Sequence, residues 1–247
     1  LQDIENGNFI VCLVPKIDTL TGEVGGAEAV VRYHHKDLGI VDPGRYLNML
    51  EETKLSHYLD LYVFEEVCKT LHKWEVRDIP MIPVSVNFAG ATLRQEGLAD
   101  KMLHLIEKHH VRCEYLEVEV SESSSDMNQE MLAETSSKIR KGNVRVILDH
   151  FGAKDSSFSI LSLMEFDGLK LDKSVISNIV GNGRSRIVAQ AVIDICRQLG
   201  ASVQAAGVET QDQFNVLREI GCDYAQGTLF NKPITIETFE VRYLRDR

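Results

Sequence analysis

The sequence predicts an α/β fold, a (β/α)8 barrel, on three observations. Short β-rich runs alternate with longer stretches of helical period, and there are eight such runs. Nearly every run carries one ionisable or amide residue among its Val, Ile and Leu. The length of 247 residues suits a single barrel core.

The predicted strands span residues 9–17, 26–33, 83–89, 115–121, 144–151, 168–173, 202–208 and 224–230. The clearest helix is 184–199, where Ile187, Val188, Ala191, Val192, Ile195, Cys196 and Leu199 form an apolar stripe and Gly200 supplies the stop. A second stop, Gly142, follows a helix over 128–141, and Thr210 with Gln213 has the spacing of a capping box after the seventh strand. Eight strands alternating with helices favour a closed parallel barrel over segregated layers. The rival, a doubly wound open sheet, needs a Gly-rich turn after its first strand, and Val14-Pro15-Lys16-Ile17 is not one. The polar stretch 121–125 and Gly181-Asn182-Gly183 read as plain loops.

Composition narrows the function. The formal net charge is −10 and no basic stripe exists, so a nucleic-acid polymer is excluded as partner. Hydrophobic residues make up 44% and charged residues 26%, ordinary for a globular domain. No run of about 18 apolar residues occurs, so no membrane contact is expected from this segment. The first seven residues lack the basic and apolar regions of a signal peptide. The five cysteines (Cys12, Cys68, Cys113, Cys196, Cys222) are scattered and contain no C-x-x-C pair, which argues against disulfides and thiolate zinc and fits a reducing cytoplasm.

The polar residues on the strands are Glu28, Asn87, Glu119, Asp149, Lys170 and Gln226. One such residue alone is ordinarily a satisfied polar group of the core. Six on different strands of one barrel point to the mouth, where barrels gather their active-site groups. Three carboxylates and an amide oxygen are the donors that Mg²⁺ or Mn²⁺ takes. Lys170 adds a fixed cation for a water or a phosphate oxygen, and Gln226 can donate to a ligand edge. By chemistry the set reads as a metal-assisted phosphate site. The remaining histidines, including His34-His35 and His109-His110, are expected on helix or loop surfaces.

The segment Gly26-Ala27-Glu28-Ala29-Val30-Val31-Arg32 resembles the one that names the EAL family of cyclic di-GMP phosphodiesterases. Further matches follow in the family's order, namely Ser85-Val86-Asn87, Leu116-Glu117-Val118-Glu119-Val120-Ser121-Glu122, Asp149-His150-Phe151-Gly152, Leu169-Lys170-Leu171-Asp172, Ala206-Gly207-Val208-Glu209-Thr210 and Gln226-Gly227-Thr228-Leu229-Phe230. They cover residues 9 to 240, nearly the whole chain. The resemblance implies a barrel whose first strand runs antiparallel to the rest. It implies a mouth where two divalent metals activate a water that opens cyclic di-GMP to pGpG. Carried over by position, Glu28, Asn87, Glu119 and Asp149 match the ligands of one metal, with Asp149 bridging to the second. Lys170 matches the lysine that holds the attacking water, Arg32 a phosphate-contacting arginine, Gln226 a glutamine of the motif, and Glu122 the glutamate that braces the loop near the dimer contact. The resemblance also implies a single EAL domain over 1–247, expected to be a fragment of a longer multidomain signalling protein whose parent can be membrane-anchored.

Four positions depart from the family pattern. His150 replaces the second of two paired aspartates, and an imidazole brings no negative charge and suits Mg²⁺ poorly. Ala206 replaces a glutamate and has no donor atom at all. Val14 stands where the family often has a glutamine that touches the nucleotide. Gly152-Ala153-Lys154-Asp155-Ser156-Ser157 replaces the usual loop that links the site to dimerisation. One metal site, with Mg or Mn, is therefore expected to be complete, with His150 a poor ligand for a second. Two functions stay open at this stage. One is a regulatory module that binds cyclic di-GMP or a protein partner, as a homodimer or alone, with little or no hydrolysis. The other is a metal-dependent phosphodiesterase of normal or reduced activity.

Overall fold

The first strand, β1 (Phe9–Asp18), turns back through an Asp18 turn into β2 (Val24–His35), and the two pair antiparallel along almost their whole length. Asp18 Oδ1 accepts from the amides of Leu20 and Thr21, the local bond that makes Asp a turn former. In this computed structural model, residues 2–35, 37–41, 43–53, 55–121, 129–153 and 157–245 are described. After β3 (Gly39–Val41) the chain continues as β4 (Val84–Asn87), β5 (Leu116–Ser121), β6 (Arg145–Phe151), β7 (Gly168–Leu171), β8 (Ser202–Ala205), β9 (Tyr224–Ala225) and β10 (Ile234–Thr235).

Pairing runs β1–β2–β4–β5–β6–β7–β8–β9 and closes back on β1, giving an eight-stranded barrel. β2 and β4 to β9 pair parallel, and β1 is antiparallel to both of its neighbours. The predicted barrel and its reversed first strand are both present. β3 and β10 were not predicted; they pair antiparallel with β2 and β1 outside the closed ring. Several strands end earlier than the sequence predicts, among them β4 at Asn87 and β7 at Leu171. β8 stops at Ala205 and β9 at Ala225, so Ala206 and Gln226 lie just beyond strand ends, at the mouth.

Helices sheath the barrel. The long one, Ser56–Val76, buries Leu59, Val63, Phe64, Val67, Leu71 and Trp74 on one stripe. Full burial of side chains of this size contributes roughly 1.5–3 kcal/mol each. The helix Gly183–Leu199 ends where predicted, with Gly200 left-handed at φ 74°. Its buried face differs from the predicted stripe. Ala189, Val192, Ile193 and Cys196 pack inward, while Ile187, Val188 and Leu199 are exposed. A stripe this broad wraps past the contact width, and only one edge of it meets β7 and β8. Helix Gln129–Lys141 is followed by Gly142, but the left-handed residue is Asn143, φ 59°. The capping box is formed as predicted, Thr210 and Gln213 bonding reciprocally. His34 and His35 lie on β2 rather than on a helix or loop.

Candidate functional site

Alternation on the strands decides which side chains enter the barrel. On β5, Leu116, Val118 and Val120 face the helices' apolar layer, so Glu117 and Glu119 project inward, both nearly inaccessible. On β2 the same rule turns Glu28 inward, on β4 Ser85 and Asn87, on β6 Arg145 and Asp149, and on β7 Lys170. A buried charge survives only when paired, and these are paired with one another.

Lys170 is the hub. Its Nζ lies 2.8 Å from Glu28 Oε2, 2.7 Å from Glu119 Oε2 and 3.9 Å from Asp149 Oδ1. Burial works against the ammonium, yet Glu119, Glu28 and Asp149 hold its pKa well above the usual lysine value. Glu28 is held further by Asn87 Nδ2, which donates to Oε1 at 2.6 Å, and by Gln226 Nε2, which donates to Oε2 at 2.5 Å. The backbone that carries Gln226 is fixed by the next residue. A Cβ at Gly227 would stand 2.1 Å from the Val208 carbonyl oxygen, so only glycine lets the loops after β8 and β9 approach.

A second lysine enters from below. Lys16 Nζ donates to Glu117 Oε2 at 2.9 Å and to Glu119 Oε1 at 3.2 Å, and Arg145 Nη1 pairs with Glu117 Oε1 at 2.8 Å. Burial alone would raise the Glu119 carboxyl, but Lys170 and Lys16 outweigh it and keep that group ionised.

Asp149 faces a different partner. Its Oδ1 accepts from the His150 amide at 2.7 Å, and its Oδ2 lies 3.0 Å from His150 Nδ1. His150 is left-handed, φ 58°, a conformation that costs a non-glycine residue roughly 1–2 kcal/mol. The ring therefore folds back on its neighbour instead of reaching the other carboxylates, and it stays half-exposed. Ala206 lines the same mouth and offers only a methyl group.

Above the cluster opens a cleft of about 750 Å³, a size that takes a ligand of several hundred daltons. One side carries Glu28, Asn87, Asp149, His150, Lys170 and Ala206, and the other the apolar Tyr46, Leu47, Leu50, Leu59 and Val63. Arg32 lines the cleft too, with Nη1 donating to the Val31 carbonyl at 2.9 Å. Asp60 joins this wall. Its Oδ2 accepts from the Ala89 amide at 2.8 Å and Thr92 Oγ1 at 2.5 Å, and burial pushes its carboxyl up to about 7.

The structure thus brings Glu28, Asn87, Glu119, Asp149, Lys170 and Gln226 to one place, with Arg32, His150 and Ala206 at its rim. Glu122 lies outside the described residues, as do 154–156 of the altered loop. The sequence reading missed Lys16, Glu117, Arg145 and Asp60. The alternation on β5 carried the signal for Glu117, two residues before Glu119.

Among the described residues no group of three or more Asp, Glu, His or Cys is arranged to receive a metal as it stands. The reason is visible in the geometry, since Lys170 draws the carboxylates on to its own ammonium. Three carboxylates converging within 4 Å of one cationic atom are still a fitting donor set for one hard divalent ion, with Lys170 as its stand-in. For a second ion the donors do not fit, because position 206 has none and the His150 ring is spent on Asp149.

Residues 1–233 match the model of the EAL domain. The chain belongs to the EAL family. It is 31% identical over 226 residues to the cyclic di-GMP phosphodiesterase NbdA of Pseudomonas aeruginosa, covering 92% of this chain and 29% of that protein. It is 30% identical over 232 residues to the cyclic di-GMP phosphodiesterase PA2567 of the same organism, covering 94% and 39%. The EAL chain thus spans roughly a third of these curated relatives' length. Among solved structures, the PaMucR phosphodiesterase in complex with c-di-GMP superposes with a TM-score of 0.89 at 25% identity, covering 96% of both chains. The EAL domain fold is also shared with the FimX domain from Pseudomonas aeruginosa bound to c-di-GMP, TM-score 0.84 at 18% identity, which covers 94% of this chain and 93% of that one.

Proposed function

We propose that this EAL domain serves cyclic di-GMP signalling as a degenerate, ligand-binding regulatory module with little or no hydrolysis. The observation that carries the reading is the rim of the mouth. Ala206 presents no oxygen, and the His150 imidazole is bound to Asp149 at 3.0 Å. A clamp of two metals on attacking and leaving oxygens needs donors for both ions. Here one set is intact and the other is not.

The intact set is Glu28, Asn87, Glu119 and Asp149, which would hold one Mg²⁺ or Mn²⁺. When bound, such an ion supplies Lewis-acid polarisation of a phosphoryl oxygen and a water of lowered pKa. The chain's own residues do the rest. Arg32 faces the cleft as a guanidinium for a phosphate, Gln226 keeps Glu28 in register, and the wall of Tyr46, Leu47 and Leu50 buries a base and excludes water. Lys170 sits where it can hold a water or a phosphate oxygen once it leaves the carboxylates. The cleft volume of about 750 Å³ suits a cyclic dinucleotide.

The convergence of Glu28, Glu119 and Asp149 on Lys170 favours a second reading, a weak phosphodiesterase using one metal and yielding pGpG. A homodimer or a protein partner would read the state of the cleft. No helix among the described residues is long and apolar enough to cross a membrane. Isothermal titration of the 247-residue chain with cyclic di-GMP tests the shared part of both readings. Saturable heat is expected. Absence of heat, together with no change in thermal stability at millimolar ligand, would reduce the module to partner binding.

A further inference from the structure

The two oxygens of Glu119 are divided between the mouth and the base of the barrel. Oε2 meets Lys170 at 2.7 Å, toward the cleft. Oε1 accepts from Ser85 Oγ at 2.6 Å and from Lys16 Nζ at 3.2 Å. Lys16 reaches this point because β1 runs antiparallel, which sets the residues near its C-terminal end at the base of the barrel, beside the start of β2. Gly26 stands opposite Lys16 on β2. A Cβ there would lie 3.5 Å from Lys16 Cδ and 3.2 Å from the Pro83 carbonyl oxygen. Lys16 is anchored in turn by Glu117 at 2.9 Å, and Glu117 by Arg145 at 2.8 Å. Charges of alternating sign therefore stack through the barrel, from Arg145 to Glu117, Lys16, Glu119, Lys170 and Glu28.

We propose that Lys16 is a positioning residue of the site, which with Ser85 pins Glu119 Oε1 from below and so aims Oε2 at the divalent cation. This rests on the reading of Glu28, Asn87, Glu119 and Asp149 as a cation site. Lys16 does not line the cleft and acts on the cation through Glu119 alone. Partners that orient metal ligands typically matter by 10- to 100-fold in metal affinity.

Two roles of Lys16 give opposite outcomes. If it acted only through its charge, removing it would leave Glu119 more negative, and a divalent ion would bind more tightly. If it positions Glu119, the ion binds more weakly.

The test is Mn²⁺ titration of the full chain by calorimetry, with Mn²⁺-induced thermal stabilisation as a second readout. It compares wild type, Lys16→Met and the double variant Lys16→Met with Glu117→Gln. The double variant removes one charge of each sign from the base, so the net charge there is unchanged, and it keeps the test open if Lys16→Met fails to fold. Mn²⁺ affinity about tenfold or more weaker in the variants that fold is the expected result. Unchanged or tighter Mn²⁺ binding in Lys16→Met, or wild-type affinity in the double variant, overturns the positioning role while leaving the cation site intact. Absence of Mn²⁺ binding in wild type removes the cation site itself, and the positioning role with it.

Discussion

His150 Nδ1 lies 3.0 Å from Asp149 Oδ2, and the His150 amide donates to Asp149 Oδ1 at 2.7 Å, so one residue engages both oxygens of its neighbour. The hydrogen bond to Asp149 raises the His150 pKa above 6.5, against the opposing effect of burial. A group whose folded pKa is raised contributes stability that is complete below about 6.5 and is lost as pH rises through the folded value. The ring is more than half exposed, so solvent screens the effect and it stays small. Proton NMR titration of the His150 ring is expected to give a midpoint above 6.5 that falls in Asp149→Asn. An equal midpoint in both proteins would contradict the pairing.

Asp60 gives a larger pH effect of the opposite kind of group. Burial pushes its carboxyl up from 3.8 to about 7 despite the bonds from Thr92 and Ala89. The folded state therefore holds the proton more tightly than the unfolded chain. Its contribution is complete below about pH 4 and declines as pH rises toward 7. Urea unfolding at pH 5 and pH 8 should show wild type losing stability relative to Asp60→Asn at the higher pH. A constant difference between the two proteins would show that Asp60 does not titrate in this window.

Lys170 pairs with Glu28 and Glu119, and it shares Glu119 with Lys16. Lys170→Met leaves Glu28 without a cation and Glu119 with Lys16 alone, and removing one partner of a buried ion pair costs about 3–5 kcal/mol. Millimolar Mn²⁺ is expected to recover most of that loss, because the ion takes the vacated place among the oxygens. Thermal melts with and without Mn²⁺ check this. A variant as stable as wild type without metal, or one that Mn²⁺ does not rescue, would show that the carboxylates are satisfied otherwise.

Gly227→Ala should be among the most damaging single substitutions, since the added methyl meets the backbone of Val208 at 2.1 and 2.4 Å. Backbone cannot give way as a flexible side chain does, so a loss of about 3 kcal/mol or more is expected in urea unfolding. Near-native stability would mean that the loops after β8 and β9 separate at little cost.

What the sequence revealed and what it hid both follow from alternation. Inward carboxylates among Val and Leu stand out on a strand, and so Glu28, Glu119, Asp149 and Lys170 were legible, as were the eight barrel strands. β3 and β10 are three and two residues long, too short for any period to show. Glu117 and Lys16 give no separate signal, because one polar residue per strand suffices to mark the mouth, whereas the interior is charged at two levels. The exposed edge of helix Gly183–Leu199 was hidden for another reason. Ile187 and Val188 share the helical period of the buried residues, and periodicity does not say which edge of a wide stripe meets the barrel. Asp60 gave no signal, since it lies on a helix where a single Asp reads as surface.

Under the proposed reading, positions 206 and 150 define a gain-of-function variant. Ala206→Glu combined with His150→Asp places two carboxylates at the rim, and pGpG formation is expected to rise by about 10²-fold or more. No gain in the folded double variant would show that positions 206 and 150 do not limit hydrolysis.

The most direct measurement is the rate of pGpG formation by the unmodified 247-residue chain with saturating cyclic di-GMP and Mg²⁺, followed by chromatography. The nucleotide is expected to be bound and returned almost entirely intact over hours. Rapid Mg²⁺-dependent turnover would show that Ala206 and His150 leave the machinery whole.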